Sequence, residues 1–316
     1  MKPAFSVVFL TTLCGAGQGL LIALFGVECA SRAGWIAPPP PLFLASGAIF
    51  AGLLGVLGLV ASFFHLGHPE RAWRAIAMWR TSWLSRECLC LPLFIASAFA
   101  YGGAHALALP YAFAIGAFGL IASGALFVCT SMIYACLRFL QEWATPLTML
   151  NFTLLGCASG FTVAAAAAAW LAPDLLTGLA ACAWVLTLAG CAGRVAALSR
   201  NARLRPKSTL QSATGLHAKQ VVQISRGFTA SAFNLREFFH GRSPQALRRL
   251  KWTFLVGAFG APAVLIACGG SAGSGAQALA LLLAASLVQF GGLVVERWYF
   301  FADARHPQNL YYQQAA

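Results

Sequence analysis

Residues 65–87 read HLGHPERAWRAIAMWRTSWLSRE, and this island of charge between two long apolar runs decides the fold. It holds four arginines (Arg71, Arg74, Arg80, Arg86), His65 and His68, and two of the chain's eight acidic residues, Glu70 and Glu87. On either side, charge all but vanishes over roughly 20 residues, the length a helix needs to cross a bilayer core. Charge this dense between two spans marks a working surface at the membrane boundary.

Outward from the island the same alternation repeats. The apolar runs number eight, at about 5–28, 42–66, 84–107, 111–137, 147–172, 175–198, 252–269 and 277–300. The expected fold is therefore all-α, a single polytopic membrane domain of eight transmembrane helices. Composition agrees. Of 316 residues 59% are hydrophobic and 9% charged, with a mean hydropathy of +0.75; a soluble domain carries about 25% charged residues. The first run is too long for the apolar core of a signal peptide and is read as a retained span.

The connections sort by charge. Residues 29–41, CASRAGWIAPPPP, end in four prolines that cannot continue a helix. Residues 270–276, GSAGSGA, form an uncharged link, and the connections near Pro110 and Pro173 are short enough to force antiparallel neighbours. The long loop 199–251 is basic. Twelve Lys/Arg fall between Arg194 and Lys251, against one acid, Glu237. With eight spans, 20 of the 21 basic residues share one face and only Arg32 lies on the other. The positive-inside rule puts that face, and both termini, in the cytoplasm of a bacterial inner-membrane protein. Topology thus explains the net charge of +13, and no nucleic-acid partner is expected. The phenylalanines of the loop (Phe228, Phe233, Phe238, Phe239) suit a surface that docks a soluble partner. No internal repeat is obvious, and the alanine run Ala164–Ala169 reads as a close-packing face.

Two residues carry most of the chemistry. His65 ends the second span. Glu87 follows Ser85, read as the N-cap of the third, so that the helix dipole favours its carboxylate. Neighbouring spans place both groups at one depth, where they can hydrogen-bond quinone oxygens and exchange protons, or simply cap helix ends. Gln18, flanked by glycines in GAGQGL (15–20), reads as an interhelical hydrogen bond first and a ligand contact second. The four arginines suit lipid headgroups, with Arg71 and Arg86 as weaker pocket candidates, and Trp73, Trp79 and Trp83 suit the interfacial aromatic belt. Tyr134, Glu142, Trp143 and Asn151 lie near the same face. Ten cysteines, none in a CxxC pair, read as small hydrophobes. Membrane haem needs paired histidines on facing helices; the six histidines do not offer them, so no haem, iron–sulfur cluster or other metal is expected in this chain. A small-solute transporter would show midplane charges and repeats, and it fits the sequence less well. A purely structural anchor, with quinone bound elsewhere, stays open.

These residues resemble the anchor subunits of dimethyl sulfoxide reductase-type complexes over nearly the whole chain. The resemblance rests on GAGQGL, the His65–Glu87 stretch, MIYACLRF (132–139), TLQSATG (209–215), FNLREFFHG (233–241) and ERWYFFADARHPQNLYY (296–312). The ends of the chain are most similar to the sulfite-oxidising branch of that family. It implies an eight-helix subunit without a metal of its own. A molybdopterin catalytic subunit and a four-cluster iron–sulfur subunit would dock on the cytoplasmic face, and electrons would be exchanged with the ubiquinone or menaquinone pool. It also implies that His65 and Glu87 bind the quinone. Electron flow from sulfite to quinone is the expectation. Flow from quinol to a sulfoxide or sulfur oxyanion is the alternative. The stretch GLHAKQVVQISRGFTASAF (215–233) departs from the family pattern.

Overall fold

The computed structural model describes residues 1–205, 207–222, 224–225, 239–273, 275–307 and 309. The expectations attached to Arg226, Phe228, Phe233, Arg236, Glu237, Phe238 and the tail 310–312 lie outside the described residues. Eight helices are long and apolar enough to cross a membrane among those described. They are α1 (Phe5–Arg32), α2 (Pro41–Phe63), α3 (Trp83–Ala106), α4 (Ala112–Ala135), α5 (Pro146–Leu171), α6 (Leu176–Ala202), α7 (Pro244–Ser271) and α8 (Ala276–Asp303).

Capping chemistry sets several boundaries and moves three away from where apolarity alone puts them. The side chain of Ser82 accepts from the backbone N–H of Ser85, so Ser82 and not Ser85 caps α3. Glu87 therefore stands a full turn inside the helix, beyond the dipole-favoured first turn. Helix α2 ends at Phe63, which leaves His65 outside it. Ser243 caps α7 with Pro244 in its first turn, so α7 starts well before residue 252. Its first turns are amphipathic (PQALRRLK), and a hydropathy reading passes over them. A π-helical turn at Val256–Gly260 interrupts α7.

The helices form two rings of four. Within the first, α1 packs on α2, α2 on α3, α3 on α4 and α4 back on α1. Helices α5 to α8 close the same way. The rings join mainly along α1 and α5, which run parallel because three spans lie between them. Each seam helix carries a Gly-xxx-Gly step, Gly15/Gly19 on α1 and Gly156/Gly160 on α5. A Cβ on Gly19 would overlap the backbone of Gly156 and Cys157, and one on Gly160 that of Gly19 and Leu20. These small residues let the two backbones touch without leaving a hydrophobic signature in the sequence. The alanine run buries Ala164, Ala165, Ala166, Ala168 and Ala169 as expected.

Gly160→Ala should therefore destabilise the bundle by about 1–3 kcal/mol, the usual range for overpacking. Gly178→Ala on α6, where a Cβ meets nothing within 4 Å, should be neutral. Thermal unfolding of the detergent-solubilised protein reads the difference; equal midpoints would refute the seam.

The N-terminal amine donates to the carbonyls of Ala302 at 3.3 Å and Ala304 at 2.9 Å, so the start of the chain and the end of α8 meet on one face. At the opposite end of the bundle, Glu28 pairs with Arg32 at 3.3 Å, accepts from the Tyr101 hydroxyl at 2.7 Å and meets His105 at 3.3 Å. That knot ties the ends of α1 and α3 together and secures the lone basic residue of that face.

Candidate functional site

Near the face where α1, α3 and α5 begin, a crevice opens between the seam helices and their neighbours. It encloses about 320 Å³ not filled by atoms, part of it open to the exterior. The room left for a solvent-sized centre is only about 20 Å³, enough for about one water, so the crevice is a narrow slot. Cys14, Gly15 and Gln18 of α1 form one wall, Glu87 and Leu91 of α3 and Thr130 of α4 another, with Phe152 of α5 across from them. At about 1.5 Å per residue, Glu87 lies roughly one turn below the start of its helix, inside the apolar layer but close to its edge.

Glu87 is 8% exposed and accepts a hydrogen bond from the Thr130 hydroxyl through Oε1. Its Oε2 makes no hydrogen bond among the described residues. Gln18 donates through Nε2 to the Ser123 carbonyl at 2.9 Å, which fixes the amide orientation and leaves Oε1 as an acceptor. The interhelical hydrogen bond expected of Gln18 is present, bridging α1 to α4, and the same side chain lines the crevice. One carboxylate oxygen and one amide oxygen in an otherwise apolar slot is the pattern of a site for a largely apolar ligand with polar ends.

The other sequence candidates are not drawn into this crevice. His65 sits on the exposed connection after α2, its ring without a hydrogen-bond partner among the described residues, and what burial it has pushes its pKa down. Arg86 donates from Nε to the Trp79 carbonyl at 2.9 Å and from Nη2 to the Arg80 carbonyl at 2.7 Å, and lies 4.3 Å over the Trp83 ring. It staples the surface loop to α3. The Arg71 side chain pairs with Glu70 at 3.7 Å on the surface. Between them a 3₁₀ helix, Pro69–Met78, exposes Trp73, Ile76 and Met78, with Arg74 and Arg80 against Trp73 and Trp79. Aromatic side chains and cations in this arrangement suit the headgroup layer. Tyr134 and Trp143 pack with Phe152, Phe300 and Phe301 in an aromatic cluster that backs the crevice. Asn151 donates to the Gly193 carbonyl at 3.2 Å.

A charged centre lies where hydropathy and charge patterning point to none. Arg194 of α6 and Glu296 of α8 form an ion pair at 2.6 Å, off the hydrogen-bonding line, and Glu296 also accepts from Nε of Arg297. All three side chains are almost wholly buried. Arg297 lines a second recess with Thr11, Thr12, Gly15, Phe152 and Ser159. Thr11, Gly15 and Phe152 line both spaces, so the two adjoin along a common border. Only the separation of Glu296 from the membrane boundary hinted at this, because an acid inside a span needs a partner.

A family model described as DMSO reductase anchor subunit (DmsC) matches residues 2–302, nearly the whole chain. The chain belongs to the DMSO reductase anchor-subunit family. It is also 52% identical, over 329 aligned positions spanning the full length of both chains, to a sulfite dehydrogenase subunit of Allochromatium vinosum. The anchor is a multi-pass inner-membrane protein, and the eight-helix all-α expectation holds. The transporter alternative falls with that match. Among the described residues, no three His, Cys, Asp or Glu side chains gather as a metal ion would require.

Proposed function

We propose that this anchor binds a quinone in the Glu87–Gln18 crevice and passes it electrons from an iron–sulfur partner. The observation that carries the proposal is a buried carboxylate with a spare oxygen inside an apolar slot near the membrane edge. The full-length likeness to a sulfite dehydrogenase subunit supports sulfite as the electron source. In that reading a molybdopterin subunit oxidises sulfite with water to sulfate, releasing two electrons and two protons. A four-cluster iron–sulfur subunit, docked on the face of the basic loops, conducts the electrons. Quinone, as ubiquinone or menaquinone, takes two electrons and two protons to become quinol. The basic loops support a cytoplasmic location for that face and for both termini.

The chain's own residues divide the work. Glu87 hands a proton to one ring oxygen, and Thr130 holds its other oxygen in place. Gln18 accepts from the quinol hydroxyl. Phe152 and Leu91 press on the ring and exclude water. His65 and Arg71 on the exposed connection after α2, and Arg86 in the first turns of α3, do not line the crevice and suit lipid headgroups and the approach of a quinone. Reversed flow, from quinol to a sulfoxide or sulfur oxyanion, uses the same crevice, and the family's name keeps it as the second reading.

Purification of the intact complex from its native membrane tests this. Molybdenum and iron–sulfur protein should co-purify, and the complex should reduce a short-chain quinone with sulfite faster than it oxidises the quinol with dimethyl sulfoxide. A complex lacking both metals would refute the assignment; the opposite rate order would establish the second reading.

A further inference from the structure

We infer that Arg297, held by Glu296 and Arg194, is the anion-stabilising wall of the quinone crevice; this rests on the quinone reading above. The three side chains are 5%, 0% and 3% exposed. Two guanidinium groups against one carboxylate leave a buried positive charge uncompensated, and neither Glu87 nor Asp303 forms an ion pair with the cluster among the described residues. A charge in such a place is costly. Part of the cost is offset by aromatic faces, since Arg297 lies 4.1 Å over Phe152 and 5.1 Å over Phe300, while Arg194 lies 5.5 Å over Phe254. The hydrogen bonding is also incomplete. Nη2 of Arg194 is buried without a partner, and the Nη nitrogens of Arg297 make no hydrogen bond among the described residues.

Position gives this charge a use. Arg297 and Glu87 line adjoining spaces that share Thr11, Gly15 and Phe152 as their border, and a ligand seated across that border would meet both. A quinone has two ring oxygens on opposite sides. With one oxygen toward Glu87, the second points to the arginine side. Electron transfer puts negative charge on the ring oxygens before the protons arrive, and a fixed guanidinium stabilises that charge in a low-dielectric slot. Arg297 keeps its proton throughout; the two electrons come from the partner's iron–sulfur cluster and the two protons from water, one through Glu87. Glu296 and Arg194 act as positioning residues, Glu296 by tethering Nε and Arg194 by sharing the carboxylate.

The test compares binding of a hydroxynaphthoquinone, ionised at neutral pH, with its uncharged methoxy counterpart, to the purified complex. A hydrogen bond to a charged group adds about 1.5–3 kcal/mol, so the wild type should favour the anion by about tenfold or more. Arg297→Gln should bring that ratio close to one, and Arg297→Lys should keep most of it. Arg297→Gln leaves Arg194 and Glu296 as a balanced pair, so assembly should survive. No preference in the wild type, or an undiminished one in Arg297→Gln, would overturn the inference. If Arg297→Gln does not assemble, the wild-type ratio and Arg297→Lys decide. Glu87→Gln run alongside separates the levels. Lost quinone turnover there with an unaltered Arg297→Gln defeats only the arginine assignment, whereas no effect from either variant defeats the quinone crevice itself.

Discussion

Replacing Glu87 by glutamine should lower quinone turnover of the assembled complex by about 10²-fold or more, the usual contribution of a positioned acid–base group. The exchange keeps the shape of the side chain and an oxygen to accept from Thr130, so packing of α3 against α4 should be unchanged. It removes the proton the carboxyl can give. Because the loss is in the chemistry, kcat should fall much further than KM rises. Sulfite oxidation by the same complex with a soluble dye, which bypasses the membrane subunit, should stay at the wild-type rate. Full quinone turnover in Glu87→Gln would end the case for this crevice. His65→Ala should cost only about tenfold, since the imidazole lies on the exposed connection, does not line the crevice and can meet a quinone only on its way in. The pH dependence has a definite sign. Burial lowers the His65 pKa, so the ring is neutral at neutral pH and gains its charge only as pH falls through that lowered value. Neutral imidazole is the form that can accept a hydrogen bond on that approach. The deficit of His65→Ala should therefore shrink in acid.

Eight spans were legible because charge in a membrane chain is concentrated in the connections, and the island at 65–87 shows that rule in one stretch. Helix ends were less legible. Ser82 and Ser85 are both good caps, and only the structure reveals that Ser82 is used. That one choice moves Glu87 inward, while the end of α2 at Phe63 leaves His65 outside. A pair inferred from adjacency along the chain is thereby divided between the crevice and the loop. Gln18 and Glu87, far apart in sequence, are instead brought to one pocket by the α1–α3–α4 packing. The Arg194–Glu296–Arg297 centre was hidden for a different reason. Both arginines lie within a few turns of a basic face, where cations set topology, and their common partner comes from a helix about a hundred residues later than Arg194. Counting charge by face assigns them to the surface. Only side-chain burial separates them from it.

Glu296→Gln should have the largest effect on stability of any single change in the chain. The variant leaves Arg194 and Arg297 buried around a neutral amide, with two like charges where one carboxylate had faced both. Breaking a buried ion pair by removing one partner costs about 3–5 kcal/mol, against a total stability for a domain of about 5–15 kcal/mol. Membrane accumulation should drop sharply, and any solubilised protein should unfold at a much lower temperature. Since α6 and α8 are joined to each other at this point and to α5 through Phe152 under Arg297, the second ring should loosen before the first. A second substitution makes the cause testable. Arg194→Met removes one cation, fills similar volume against Phe254, and leaves Arg297 as the single remaining charge. Added to Glu296→Gln it should restore at least half of the lost stability, whereas on its own it should cost less than Glu296→Gln. A double variant no more stable than Glu296→Gln would mean that the carboxylate acts through packing and not through charge. Recovery of folding in the double variant, with Arg297 still in place, would show that the carboxylate is there to offset two buried arginines whose charges the membrane interior does not tolerate together.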